Sequence, residues 1–413
     1  MGMINVDEIQ PGMVLGRDLV GPNGRFLLAA GTTLEEKHFQ IFKIWGVAEA
    51  DIEDVSPIDV AEQILTRYGP EIIKESRLLV SERFAVANRE HEAISELYRL
   101  AVLQTAEFLK NSPDTSRPVK TIPDIQEKGL TQLPPLNISD IIKENIQFDT
   151  LPSTFLKVHE AINNPRSSSR YIAKAVSLDI SLSTKLLKLV NSAFYGFPRK
   201  IETLSQAVTL IGTKQLGYLA QGISLIEHFK KIPDTVIDMK SFWHHSISCG
   251  IIARLLGDKQ KMSNSDAFWV AGLLHDAGRL FFLQGYPDYV RAVFIRAWEE
   301  HVTPDSIESG LWGLNHAEVA GLLFEKWHFP QTLENAVKYH HAPHEAQSAI
   351  EPSIIHLADI IAHGLGAGKS GNPFVPPLVE SAWGVLEISK NDLAAIITQA
   401  NYQIDNTLHI FLS

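Results

Sequence analysis

The sequence has little of several features that would assign a protein to a class at once. Its 413 residues include one cysteine, Cys249, so no internal disulfide can form and a reducing compartment is indicated. The longest apolar runs, such as 267–274, end well before the roughly 18 residues that a membrane span requires. Residues 1–6 carry neither a basic start nor an apolar secretory core. We therefore expect a cytoplasmic protein that does not engage a membrane.

Basic residues are also fewer than acidic residues. The chain has 37 lysines and arginines against 48 aspartates and glutamates, which gives a net charge of -11 at pH 7. Such a chain does not attract the phosphate backbone over long distances, so no nucleic-acid partner is expected. At 45% hydrophobic and 21% charged residues, the composition is that of a globular protein with room for two or three domains.

Histidine, by contrast, is abundant and unevenly placed. Of the 16 histidines, 11 fall within residues 244–363, more than twice the share that an even spread would give. Imidazole is the commonest metal ligand and titrates near neutral pH. This part of the chain is therefore the first place to look for a functional site.

Residues 1–55 predict a small α+β module. Asn23-Gly24 supplies the turn of a β-hairpin over residues 20–28, because both residues accept positive φ. Thr33 and Glu36 have the spacing of a capping box that opens an amphipathic helix.

A further glycine and a short strand complete the module. Gly46 can end the predicted helix, and a strand follows over residues 47–52. Apolar residues then recur at helical spacing over residues 56–110, whereas residues 111–135 contain several prolines and no sustained period, which predicts a linker. From residue 136 onward the pattern is helical almost to the end.

The pair His275-Asp276 lies in the segment 268–283, which is apolar nearly all round and predicts a buried helix. Burying an unpaired charge is costly, so Asp276 needs a partner. It is protonated, it pairs with Arg279 three residues on, or it binds a metal. The residues alone leave these three alternatives open.

Other residues with ligand chemistry occur on separate predicted helices, and a helical bundle can aim such side chains at one interior point. Adjacent helix residues point about 100° apart, so two consecutive histidines can serve different ions, or one can support the other. Mixed imidazole and carboxylate ligands suit iron, manganese or zinc. The candidate metal ligands are His245, His275, Asp276, His316, His340, His341 and Asp359.

Several other residues have a functional and a structural interpretation. Cys249 lies four residues after His245, which would suit a thiolate with a histidine base, but its apolar neighbours favour a buried small side chain. Asn191 follows an amphipathic run and is interpreted as a helix end rather than a ligand-binding residue. His301, His328 and His344 have no supporting spacing and are expected outside any site.

Two features of residues 356–370 are ambiguous. His356, Asp359 and His363 share one helix face, which could be a metal-facing stripe or a polar surface. The stretch from Gly364 to Ser370 resembles a phosphate-binding loop, but His363 stands where the first glycine is required, so we reject that interpretation.

Taken in chain order, the candidate ligands resemble the metal-ligand order of the HD phosphohydrolase superfamily, and the surrounding motifs are closer still to the HDOD family of bacterial signalling domains. The resemblance covers about residues 136–345, and its HD tail continues to Asp359. It is carried in the second lobe by Phe242-Trp243 with His245-Ser246, Ala271 to Leu280, Leu314 to Val319 and Trp327 to Pro330, and upstream by Leu151-Pro152, Asp179, Leu186 to Gly196, Ile201, Ala207-Val208 and Ile211-Gly212.

The resemblance implies a mainly α protein, a two-lobed helical HDOD/HD bundle behind the small α+β domain. Its first lobe would comprise residues 136–235 and its HD-like lobe residues 236–413. The opening residues 1–55 are similar to a small domain that often precedes HD-GYP proteins, the branch that degrades cyclic dinucleotides. The seven candidate ligands would hold one or two divalent ions of Fe, Mn or Zn.

Two functions follow from the resemblance. The first is a regulatory scaffold that binds a metal and passes a signal to a protein partner. The alternative is a metal-dependent phosphohydrolase acting on a nucleotide or cyclic dinucleotide, with Asp276 and Arg279 as its catalytic residues. HD-GYP enzymes carry a lysine where this chain has Arg279, and a Gly-Tyr-Pro stretch where it has residues 342–344. Arginine stays protonated and shuttles no proton, so the scaffold is the preferred prediction.

Overall fold

The structure is a computed structural model, which describes residues 2–6, 9–21, 25–47, 49–53, 67–111, 152–164, 168–197, 199–229, 232–262 and 264–412. Four sequence predictions lie at least partly outside these residues. They are the turn at Asn23-Gly24, the start of the helical segment (56–66), the linker beyond residue 111 and the opening of the first lobe (136–151).

A small module with its own core occupies the N-terminal part. Its elements are β1 (Gly2–Asn5), β2 (Leu19–Val20), β3 (Phe26–Leu28), α1 (Glu36–Trp45) and β4 (Glu49–Ile52). β1 pairs with β4 and β2 pairs with β3, both antiparallel, so the strands on either side of the predicted hairpin turn do pair. The core is built around Leu15, Leu34, Phe42 and Ile52.

The ends of α1 show one wrong prediction and one confirmed prediction. The helix begins at Glu36, and its capping box joins Glu35 to His38 rather than Thr33 to Glu36. The prediction was wrong because the helix starts two residues later than the pattern indicates. Gly46 ends α1 in the left-handed conformation, with φ 61°, as the sequence predicts.

The remainder of the described chain is helical, which confirms the mainly α fold behind a small α+β module. Two helices follow the module, α2 (Pro70–Arg83) and α3 (Glu92–Asn111). The first lobe contains α4 (Ser153–Asn163), α5 (Ser169–Ser177), α6 (Ile180–Val190), α7 (Leu204–Ile211) and α8 (Thr213–Phe229). The HD-like lobe contains α9 (Met239–Lys259), α10 (Ser265–Leu274), α11 (Ala277–Gly285), α12 (Pro287–Glu300), α13 (Pro304–Trp312), α14 (His316–Lys326), α15 (Gln331–Lys338), α16 (Ile350–Leu365), α17 (Glu380–Leu386) and α18 (Lys390–Leu412), with a 3-10 turn at Pro343–Glu345.

One large apolar core connects the two lobes and helices α2 and α3. Arg254 on α9 ties the lobes together across this core. Its Nε donates to Asp266 Oδ1 at 2.8 Å, and its Nη1 donates to the carbonyl of Phe194 in the first lobe at 2.7 Å. The guanidinium also lies over the ring of Phe194, 4.3 Å from its centroid, which adds a cation-π contact.

Glycines let helices α9 and α10 approach at backbone distance. A Cβ at Gly250 would lie 2.7 Å from the carbonyl oxygen of Trp269, and a Cβ at Gly272 would lie 2.8 Å from the Cα of Gly250. Any larger residue would force the helices apart. This close crossing brings His245, just before it on α9, towards His275, which directly follows α10.

No helix among the described residues is both long and apolar enough to cross a bilayer.

Candidate metal centre

The seven predicted ligands meet inside the HD-like lobe. His245 comes from α9 and His316 is the first residue of α14, while His340 and His341 follow the end of α15 and Asp359 lies on α16. In several overlapping sets, three of these ligand-type residues place their ligand atoms within 4.8 Å of one another.

His275 and Asp276 lie at a break between helices, not inside one continuous helix. α10 ends at Leu274 and α11 begins at Ala277, so the prediction of an unbroken helix over 268–283 was wrong. The reason is that both side chains are taken up by the site. His275 Nδ1 donates to the Gly272 carbonyl at 2.7 Å, and the carboxylate of Asp276 makes no capping bond to α11.

Asp276 makes the contact with Arg279 that its sequence left open, and it also faces two histidines. Its Oδ2 accepts from Arg279 Nη1 at 2.9 Å and lies 3.3 Å from His275 Nε2, while its Oδ1 lies 3.1 Å from His316 Nε2. Burial opposes the charge, but Arg279, His275 and His316 outweigh it and hold the pKa of the carboxyl well below its usual value. Asp276 is therefore an ionised carboxylate with one oxygen towards Arg279 and the other towards the histidines.

Asp359 is the second buried carboxylate. Three imidazole nitrogens approach its Oδ1, His245 Nε2 at 3.0 Å, His363 Nε2 at 3.3 Å and His275 Nε2 at 3.5 Å. Burial again opposes the charge, and the imidazoles of His363, His245 and His275 hold the pKa of the carboxyl well below its usual value. The two carboxylates thus lie on either side of His275.

His340 and His341 lie beside His316, the histidine that contacts Asp276 Oδ1. His341 Nε2 lies 2.9 Å from His316 Nε2, and the ring of His340 lies 4.0 Å from that of His341. His341 is the one partly exposed residue of this group, and the other members are buried. The entire centre is therefore inside the lobe except at this edge.

Glu308 on α13 orients His316, and the sequence analysis missed it. One carboxylate oxygen accepts from the His316 backbone N–H at 2.8 Å and from its Nδ1 at 2.5 Å. This fixes the tautomer that leaves Nε2 free to act as a ligand, as outer carboxylates do in metal sites. Glu308 stands eight residues before His316, and no local pattern links the two.

The donor set fits a divalent cation. The Nδ1 atoms of His275 and His340 donate to backbone carbonyls at 2.7 Å, which turns each Nε2 towards the centre. His340 Nε2 is buried and has no hydrogen-bond partner among the described residues, whereas His275 Nε2 faces the carboxylates of Asp276 and Asp359. Burial and the neighbouring His341, His275 and His316 hold the pKa of His340 well below its usual value, so its imidazole is neutral. Buried lone pairs aimed at one point next to two carboxylates are what Fe, Mn or Zn would use.

Arg279 also fastens the loop after α16. Its Nη1 donates to the Ser370 carbonyl at 3.1 Å and to Ser370 Oγ at 2.7 Å, in addition to Asp276. At Gly368 a Cβ would lie 2.5 Å from the backbone nitrogen of His245, so the loop lies directly against α9. The rejected phosphate-loop motif is thus part of a cover over the centre.

The two histidines that share a face of α16 with Asp359 have different roles. His363 lies in the centre, and burial lowers its pKa to about 3, so it is neutral. His356 is buried but satisfied, because its Nδ1 donates to the His340 carbonyl at 2.7 Å and its Nε2 accepts from the Val379 N–H at 3.0 Å. His363 could have been found from its position four residues after Asp359, one helical turn away.

The remaining candidates play structural parts. Cys249 is fully buried, and burial raises the pKa of its thiol, so it is a core residue and not a nucleophile. Asn191 bonds the backbone of Leu187 and Ile201 at 2.7–2.8 Å, as a helix end should. Among the described ligand clusters, none includes His301, His328 or His344.

Comparison with known families now assigns one part of the helical chain. Residues 148–343 match the HDOD domain family. This chain carries an HDOD domain. The match ends at residue 343, so Asp359 and His363 lie beyond the matched residues.

The HDOD chain is similar to one curated relative and to several solved structures. An uncharacterized protein of Treponema pallidum (strain Nichols) is 29% identical over 213 residues, which is 50% of this chain and 40% of the relative. The chain therefore spans well under half the length of that relative.

Two solved structures share the fold at 20% identity. A protein of Shewanella amazonensis SB2B with a provisional phosphohydrolase name has a TM-score of 0.53, over 67% of this chain and 98% of its own. A protein of Marinobacter aquaeolei VT8, provisionally named for signal transduction, has a TM-score of 0.50, over 68% of this chain and 61% of its own. Both support the two-lobed HDOD fold.

Proposed function

We propose that this protein is a signal-transduction protein whose HD-like lobe binds a divalent metal, Fe, Mn or Zn, and passes a signal to a protein partner. The observation that carries the proposal is the convergence of the predicted ligands from three helices, the segment after α15 and the junction between α10 and α11. The buried Nε2 atom of His340 adds support, because a buried acceptor without a partner is costly unless a ligand satisfies it.

Three features favour regulation over turnover. The centre is buried, with Asp276 only 2% exposed. Arg279 is committed to Asp276 and Ser370, so its Nη1 is not turned towards a substrate. The loop that contains Gly368 and Ser370 covers the centre. Closed shells are typical of structural metal sites, whereas catalytic sites keep one position open.

A metal-dependent phosphohydrolase acting on a nucleotide or cyclic dinucleotide is the second candidate. The partly exposed edge at His341 favours it, because a phosphoryl group could approach there. A bound divalent ion would polarise the phosphoryl oxygen and lower the pKa of a water. Asp276 would orient His316, and Arg279 would supply a permanent positive charge that cannot move a proton.

Metal analysis is the first test. We expect the protein, purified without added ions, to contain a divalent metal by plasma mass spectrometry and to unfold at lower urea concentration after chelation. The Asp276→Asn variant should lose the metal, whereas His356→Gln, altered at a buried histidine with its own partners, should retain it. A parent protein that contains no metal, and whose urea unfolding is unchanged by chelators, would rule out both candidate functions.

Hydrolysis then separates the two candidates. The parent and the His275→Ala, Asp276→Ala double variant are compared on bis(4-nitrophenyl) phosphate with Mn²⁺ or Fe²⁺, with His356→Gln as the matched control. Equal background rates in all three support the regulatory protein. A parent rate that the control retains and the double variant loses would favour the phosphohydrolase.

A further inference from the structure

The ligand-type side chains of the described residues contain two groups that share no member. One is His316, His340 and His341, and the other is His245, Asp359 and His363. Within each group the ligand atoms lie within 4.8 Å of one another. His275 and Asp276 lie between the groups, since His275 Nε2 is 3.3 Å from Asp276 Oδ2 and 3.5 Å from Asp359 Oδ1.

Hydrogen bonds to Asp359 do not account for the second group by themselves, and His363 Nε2 has a further, long contact of 3.4 Å with Ser370 Oγ. His245, His363 and His275 all direct Nε2 at a single atom, Asp359 Oδ1, at 3.0–3.5 Å. A carboxylate oxygen offers about two lone-pair sites, fewer than the three nitrogens that approach it. These imidazoles therefore cannot all be satisfied by Asp359.

A cation explains the same distances. Ligand bonds to nitrogen and oxygen are about 2.0–2.2 Å long, so neighbouring ligand atoms around one ion lie about 3–3.5 Å apart. The separations of His245 and His363 from Asp359 are 3.0 and 3.3 Å. The rings of His245 and His363 also lie side by side, 4.3 Å between centroids, with the His363 side chain 6% exposed.

We propose that His363 is a metal ligand, and that with His245 and Asp359 it holds a second ion beside the one held by His316, His340 and His341. The inference rests on the metal-binding function proposed above. His363 is not among the ligands that the family resemblance implies. An additional protein ligand fills a position that a hydrolytic ion would leave to water, which deepens the regulatory assignment.

The test counts ions in the full chain loaded with Mn²⁺. We expect two Mn²⁺ per parent chain by plasma mass spectrometry, one in His363→Gln, one in His341→Gln and two in the control His356→Gln. In electron paramagnetic resonance, the parent should give the broad signal of a coupled pair and His363→Gln the six-line signal of an isolated ion. Two coupled ions in His363→Gln, or a parent with one ion that this variant retains, would overturn the proposal and leave the proposed function standing. A parent without Mn²⁺ would overturn both.

If His363→Gln does not fold, a second variant tests the same position. His363→Cys places a thiolate at the same position, and Co²⁺ bound to it should give a thiolate charge-transfer absorption. The parent, which keeps only the buried Cys249 outside the ligand groups, is the control and should lack that band. A folded His363→Cys that binds Co²⁺ without the band would overturn the role of His363.

Discussion

Two polar residues of the first lobe, Asp179 and Asn191, contrast with the ligand cluster of the HD-like lobe. Asp179 accepts from the Leu182 N–H at 2.9 Å, and Asn191 bonds residues four and ten positions away. In the ligand cluster, His245 and Asp359 contact each other although they are 114 residues apart.

The difference separates capping from ligand binding. A capping side chain lies near a helix end and satisfies backbone groups that the helix leaves unpaired. The HD-like lobe instead buries two ionised carboxylates among imidazoles and leaves the Nε2 atom of His340 without a hydrogen-bond partner among the described residues. A buried acceptor without a partner, surrounded by other ligand-type side chains, is the pattern expected of a metal site.

The largest expected effect tests the connection between the two lobes. Arg254→Met leaves Asp266 buried without its cation, so we expect the free energy of unfolding to fall by about 3–5 kcal/mol. Metal content should not change, because the side-chain contacts of Arg254 given above are not to the ligand cluster. Urea unfolding and metal analysis check both points. The control is Arg291→Met, whose partly exposed pair with Asp288 should contribute at most about 1 kcal/mol. A loss of metal in Arg254→Met would contradict the separation of roles.

The second effect concerns pH. His356 has its pKa lowered by burial from 6.5 to about 4 in the folded protein. Below pH 6.5 the unfolded chain binds a proton that folded His356 does not, so its contribution to stability is present above pH 6.5 and is lost as the pH falls to about 4. The shift corresponds to about 3 kcal/mol.

His356→Gln isolates this contribution. Its amide can donate to the His340 carbonyl and accept from the Val379 N–H, as the imidazole does. Urea unfolding of both proteins from pH 7 to pH 4 should show a steeper loss of stability in the parent. Identical pH profiles would show that His356 is not the titrating group.

A smaller effect is expected at Glu308, which orients His316. Glu308→Gln weakens the acceptor of the Nδ1–H bond, and we expect metal affinity to fall about 10–100-fold, as for other outer-shell carboxylates. The measurement is competition with a chelating dye. Glu318→Gln is the control, because Glu318 caps the same helix through the Asn315 N–H. Equal affinity in the two variants would show that Glu308 only holds the helix.

The smallest effect belongs to the first lobe. Asn191→Ala removes hydrogen bonds to the backbone of Leu187 and Ile201, and we expect a loss of about 1–2 kcal/mol in unfolding free energy. Metal content should stay at the parent level. A variant with normal stability but altered metal content would reverse the structural interpretation of Asn191.

Periodicity and motifs were sufficient for the helical character of the chain, the small N-terminal module and the seven candidate ligands. They failed where side-chain contacts between helices decide the local structure. The break between α10 and α11 could not be predicted, because His275 and Asp276 lie in a continuous apolar segment and their contacts with Asp359 and His316 depend on the packing of other helices. Glu308 was missed for the same reason, since its partner is fixed by how α13 meets α14.

The sequence by itself determined which residue types are available and on which helices, because hydrophobic spacing dictates each helix and its buried face. Only the tertiary structure decided which nitrogens converge on which oxygens. The close crossing at Gly250 and Gly272 and the packing of α16 against α9 bring residues more than one hundred positions apart to within 3 Å. Local periodicity contains no information about such distances. It therefore does not show that His363 lies in the site and that His356, on the same helix, lies outside it.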